Sequence, residues 1–205
     1  MLLITRRRAI LLAMLLAAQA QVRVQVQAQA QDTGWAGPFT LTLLARNLAA
    51  VPERRARFTE ERRFAALNAP LHSQGSLLWR RPDLLEKRTD APEPEVLRIT
   101  GSRVEVIVPG RKPLAIDLAS QPQLRIFAEA MRAPLAGDVA ALESLFEVTL
   151  SGGPAAWRLR LLPRARQARD AVASLEIEGT LAEPRRVSVL LPNGDQQIMQ
   201  IEPVP

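Results

Sequence analysis

The chain has 205 residues, 47% of them hydrophobic, which is enough to bury one substantial core and falls within the usual size of one domain. It contains no cysteine, which excludes disulfides, thiolate zinc sites, a cysteine nucleophile and a lipidated N-terminal cysteine. The formal charge of +6 falls to +2 once Arg6, Arg7, Arg8 and Arg23 are set aside, so the chain beyond residue 30 lacks the basic footprint of a nucleic-acid binder.

Residues 1–30 read as an export signal. Arg6, Arg7 and Arg8 form a basic start, residues 9–18 an apolar stretch too short to span a bilayer, and Ala18-Gln19-Ala20 a small-x-small cleavage pattern. The pattern recurs at Ala28-Gln29-Ala30. Thr5 and the arginines faintly resemble a twin-arginine signal, but Ala9 stands where a large apolar residue is expected, which favours the general secretory route. The expectation is cleavage near Ala20 or Ala30, leaving residues 31–205 as a single soluble domain in the periplasm.

Residues 39–51 place Leu41, Leu44, Leu48 and Val51 at helical spacing ahead of Pro52, which predicts an amphipathic helix ending there. From residue 57 the period falls to two, with Phe58, Glu60, Arg62 and Phe64 as an imperfect face, followed by a loop through Asn68, Pro70 and His72. Clearer alternation over residues 75–81 sets Leu77 and Trp79 against Ser76, Leu78 and Arg80. Three more strands are predicted over residues 84–89, 96–100 and 103–108, the last with Val104, Val106 and Val108 on one face. Turns at Arg81-Pro82-Asp83, at residues 91–94 and at Gly101-Ser102 separate them, which predicts an antiparallel meander.

Helical period resumes after Pro122, where Leu124, Phe127, Ala128, Met131 and Leu135 form one apolar stripe. Asp138 is placed to cap a short helix with Val139, Leu142 and Leu145 inward. Five further strands are predicted over residues 146–150, 157–161, 173–179, 186–191 and 196–201, with Asn193-Gly194 as a tight turn before the last. Helix, strands, helices, strands is not the alternating order of a parallel sheet. The expected fold class is α+β, mostly antiparallel β, in which a large sheet curls and the helices at 39–51 and 124–135 cover its concave face.

Candidate chemistry is sparse. His72 is the sole histidine and has no spaced partner for a metal site, while Gly152-Gly153, followed by Pro154, reads as a hairpin turn and not a phosphate loop. Glu60 and Glu61 point to opposite faces of a strand, so they cannot act as a catalytic pair. The expectation is no catalytic residue, no metal and no cofactor. Periodicity alone reads the apolar stripes as an ordinary core. A hollow for an apolar ligand is the other use of such a face, since each methylene of an acyl chain costs about 0.8 kcal/mol to expose to water.

The string GSLLWRRPDLL at residues 75–85 resembles a stretch of the outer-membrane lipoprotein carrier family LolA, in which a leading glycine, alternating apolar residues and a basic-Arg-Pro sequence close an early strand. RFTEERR at residues 57–63 is similar to the strand before it, and EVLRITGSRVEVIVP at residues 95–109 to the hairpin after it. AGDVAALESLF at residues 136–146 and PNGDQQIMQIE at residues 192–202 look like segments of a divergent LolA-related subgroup.

The resemblance implies an unclosed curved β-barrel with a helical lid over a hydrophobic cavity. It also implies a monomer with transient membrane contact that takes acylated cargo, a lipoprotein or a glycolipid, from an inner-membrane exporter to an outer-membrane acceptor. The family's lid-latching arginine, which bonds helix carbonyls, matches Arg81. Leu77 and Trp79 share its parity and are expected to face the cavity, and Leu124, Phe127, Met131 and Leu135 to form the inner face of the lid. Family cavities are rich in aromatics, whereas this chain has 4% aromatic residues and no tyrosine, which points to a different acylated cargo. A sensor or accessory protein binding lipid or misfolded protein is the alternative, and an enzyme using the cavity a further one.

Overall fold

The computed structural model describes residues 34–204, so the export-signal expectation over residues 1–30 lies outside the described residues. The first helix, α1 (Leu41–Ala49), begins where Thr40 accepts from the Leu43 amide at 3.2 Å, and it buries Leu43, Leu44, Ala45 and Leu48. Six strands follow: β1 (Glu53–Arg63), β2 (Leu71–Arg80), β3 (Leu84–Ala91), β4 (Glu95–Thr100), β5 (Arg103–Ile107) and β6 (Leu114–Asp117). After a single 3-10 turn come α2 (Pro122–Ala136) and α3 (Val139–Leu145). The chain closes with β7 (Phe146–Gly153), β8 (Ala156–Pro163), the one-turn α4 (Arg166–Arg169), β9 (Ser174–Thr180), β10 (Glu183–Leu190) and β11 (Gln196–Pro203).

All eleven strands form one antiparallel sheet in the order β6-β5-β4-β3-β2-β1-β11-β10-β9-β8-β7. Every pair of neighbours is consecutive in sequence except β1 and β11, which join the two meanders through pairs such as Phe58 with Ile201 and Glu60 with Met199. The sheet therefore ends at β6 and β7 without closing. A right-handed twist accumulated over this many strands curls the sheet, and the helices pack into its concave side. The result is an α+β, unclosed curved sheet with few helices.

Local chemistry explains the helix ends. Gly137 takes a left-handed φ of 79° to stop α2, and an added Cβ there would lie 2.9 Å from the Ala49 Cβ of α1. Asp138 accepts from the Ala141 amide at 2.8 Å and starts α3 at once. This abrupt turn holds α2 against both α1 and α3.

Some elements differ from the sequence expectations. His72 lies on β2 and not in a loop, though it is exposed, because β2 begins at Leu71 to match the length of β1. The four-residue β6 and the single turn of α4 carry too few residues to show a period in the sequence. Gly152-Gly153 ends β7 within the ladder, with the turn itself at Pro154 and Ala155.

Candidate functional site

The packed interior is not continuous. A larger cluster joins Leu44 and Leu48 of α1, Ile126, Ala130 and Ala133 of α2, Leu142 of α3 and the inward residues of β8 to β10. A second, small cluster of Ile99, Val104, Leu118 and Ala128 sits under β4 and β5. Beside these lies a hollow of about 650 Å³, within the roughly 300–1,000 Å³ usual for small-molecule sites. Its wall draws on every strand except β7, and its roof on α1 and α2.

The apolar stripe of α2 explains why the helix roofs a hollow instead of filling it. Two faces are apolar: Ile126, Ala130 and Ala133 are buried against the larger cluster, while Leu124, Phe127, Met131 and Leu135 line the hollow and stay partly or largely exposed. Leu124 keeps 40% of its surface exposed, far more than a core leucine such as Leu142 at 1%. On the sheet side Leu77 and Trp79 line the same hollow, together with Leu78. Six of the seven residues singled out from the sequence thus border one space.

Arg81, the seventh, stands just past the end of β2 and does not line the hollow. Its Nη1 donates to the carbonyl of Ala49, the last residue of α1, at 3.0 Å. A second arginine, not singled out from the sequence, does the same: Arg54 Nη2 donates to the Leu48 carbonyl at 2.6 Å. Carbonyls at a helix C-terminus lack intrahelical donors and carry partial negative charge, so two guanidinium groups there satisfy and attract them. Arg54 faces the hollow because it shares the inward parity of Ala56, Phe58 and Glu60 and pairs across the ladder with Trp79. Burial draws its pKa below the ordinary arginine value, with Glu183 opposing. Arg54 Nε and Trp79 Nε1 are buried with no hydrogen-bond partner among the described residues.

A polar group occupies the other end of β1. Glu60 is the buried acid of the sheet, with no side-chain surface exposed, and both its oxygens accept from Lys87 Nζ, at 2.7 and 2.9 Å. Ser73 Oγ donates to Glu60 at 2.9 Å, Gln197 Nε2 donates to it as well, and Arg62 Nη2 lies 3.1 Å away. The Lys87 ammonium also sits 4.9 Å from the centre of the Phe58 ring, in cation-π contact. Burial works against the charge on Glu60, yet Lys87, its hydrogen bonds and Arg62 outweigh it and hold the carboxyl below its ordinary pKa. Among the described residues no three His, Cys, Asp or Glu side chains gather as a metal site, and no helix is long and apolar enough to cross a membrane.

A curled sheet, a partly exposed helical roof and an arginine-held helix end lead to a family match. Residues 27–201 match the family described as outer membrane lipoprotein carrier protein LolA-like. The chain belongs to the LolA-like family. Among solved structures it is similar to a LolA superfamily protein from Nitrosomonas europaea, at 9% identity and a TM-score of 0.42, covering 80% of this chain and 92% of that one. It is also similar to a DUF1329 family protein from Desulfovibrio piger, at 8% identity and a TM-score of 0.45, with 83% and 90% covered. The lipoprotein LppX of Mycobacterium tuberculosis is similar at 10% identity and a TM-score of 0.39, with 79% and 93% covered. No curated protein matches the chain.

Some parts of this LolA-like site are not legible in the sequence. Trp157, Leu159, Val187 and Met199 line the hollow from the second meander, where period two shows which way they face but not whether they meet protein or empty space. Arg54 and Lys87 look like surface charges in sequence, and only the strand register turns them inward.

Proposed function

We propose that this LolA-like protein is a periplasmic carrier that holds acylated cargo, a lipoprotein or a glycolipid, in the hollow and passes it toward the outer membrane without covalent chemistry. The observation that carries the reading is the largely apolar hollow of about 650 Å³ under α2 and under α1, whose C-terminal end Arg81 and Arg54 hold. Bringing an acyl chain out of water is worth about 0.8 kcal/mol per methylene, so a closed apolar space offsets most of the cost of crossing an aqueous gap. Release needs a roof that opens, and hydrogen bonds at a helix end are weak enough to exchange for contacts with a partner. An inner-membrane exporter would load the carrier and an outer-membrane acceptor would unload it.

Native mass spectrometry of the protein purified from a bacterial periplasm tests this. The expected result is a bound species that, once released, carries acyl chains. Protein that emerges bare and takes up no fluorescent acyl probe would overturn the proposal.

A further inference from the structure

Charged groups are costly on the wall of an apolar space, and apolar residues of similar size would serve a plain acyl hollow at least as well. Yet four strands converge on one cluster here: Glu60 and Arg62 from β1, Ser73 from β2, Lys87 from β3 and Gln197 from β11. Of these, Arg62, Lys87 and Gln197 line the hollow. The stem of Lys87 starts beside Leu77 and Leu97 in the ladder and runs along the wall past Phe58 to Glu60.

We infer that Lys87, Arg62 and Gln197, set in place by the buried carboxylate of Glu60, bind the anionic head of an amphiphile whose chain runs along the hollow toward Trp79. The inference rests on the reading of the hollow as an acyl site and names the chemistry of the cargo's polar end. Two cations share one buried carboxylate, which leaves positive charge in a poorly screened place. Glu95 on β4 also attracts Lys87, but it is exposed and water weakens its field. An ammonium has three N–H donors and a guanidinium five, so hydrogen bonds to Glu60 leave donors for a second set of oxygens.

Position fixes the direction of the ligand. Arg62 keeps 45% of its side chain exposed and Arg63 beyond it is exposed too, whereas Trp79 at the far end is buried to 2%. Six residues of strand from Arg54 to Glu60 span roughly 20 Å. The head therefore sits at the wetter end and the chain tip under α1.

A carboxylate and a phosphate offer these donors the same anionic oxygens, so both are used as probes. Purified protein is titrated with palmitate, hexadecyl phosphate and hexadecyltrimethylammonium, each below its micelle concentration, by displacement of a fluorescent apolar dye. At least one anion is expected to bind about tenfold or more tightly than the ammonium, and the tighter of the two anions assigns the head group. That preference is expected to shrink in Arg62→Gln and to fall within about twofold in the triple variant Glu60→Gln/Arg62→Gln/Lys87→Met, which removes both cations and leaves no stranded buried charge. Equal affinity for anionic and cationic probes, or a preference that survives the triple variant, overturns the inference while the acyl hollow stands. Failure of the dye and every probe to bind defeats the hollow reading itself and this inference with it.

Discussion

Arg81 Nη1 and the Ala49 carbonyl lie 3.0 Å apart, which ties the residue after β2 to the final residue of α1. Arg54 makes the matching bond one residue earlier in the helix, to Leu48. Two arginine side chains thus hold one end of the roof to the sheet, in addition to the short link through residues 50–52 into β1 and the apolar contacts of Leu44 and Leu48.

Arg81→Leu should leave the fold standing, because the bond is exposed and the core of α1 is untouched. It should speed loss of a bound acyl probe about fivefold, the rate equivalent of one hydrogen bond of about 1 kcal/mol. Stopped-flow dissociation measures this. An unchanged rate would show that the contact does not hold the roof closed.

Lys87→Met alone should destabilise the protein by about 3 kcal/mol, since it removes the main partner of a carboxylate with no exposed surface. Adding Glu60→Gln should restore most of the loss, and urea unfolding of both variants decides the point. Glu60 is held below its ordinary carboxylate value of 4.5, so it contributes stability that is present at neutral pH. That contribution is lost as pH falls through the lower, folded value. Thermal unfolding below pH 4.5 should therefore drop more steeply for the native sequence than for the double variant.

Gly75, the leading glycine of the segment that carries the family resemblance, should not tolerate alanine. A Cβ built there meets the Arg88 carbonyl oxygen at 1.9 Å and Phe58 Cε1 at 2.9 Å, and the backbone neighbour cannot swing aside. Gly75→Ala is expected to cost about 2–4 kcal/mol, from overpacking and loss of ladder geometry. A chemical denaturation midpoint matching the native one would contradict the close approach.

Leu124 and Leu142 should respond in opposite ways to truncation. Leu142→Ala removes a side chain that is 1% exposed and should cost about 2–5 kcal/mol. Leu124→Ser removes one that is 40% exposed and should change stability by less than about 0.5 kcal/mol. Its effect should show instead as weaker uptake of an acyl probe, measured by fluorescence titration.

Much of this architecture follows from periodicity. Spacing of three and four marked α1 and α2, alternation marked ten of the eleven strands, and Asp138 announced the cap that starts α3. These are local properties: a residue's place on a helix face or strand face is set by its neighbours in the chain. The string around Gly75 and Arg81 carried the family likeness although its glycine answers to Phe58 and Arg88 on the neighbouring strands and its arginine to a helix end 32 residues earlier in the chain.

The hollow was decided elsewhere. Phe127 and Met131 show the same helical stripe whether they fill a core or roof a gap, and the outcome depends on how far the sheet curls and where α2 comes to rest. Likewise Lys87 meets Glu60, and Gln197 meets it from 137 residues away, only because β2 sits between β1 and β3 and β1 pairs on its other side with β11. Sequence patterns fix which way each side chain faces along its own element. Whether two such faces touch or stand apart is a matter of distances between elements, and those are set by the packing of the whole sheet.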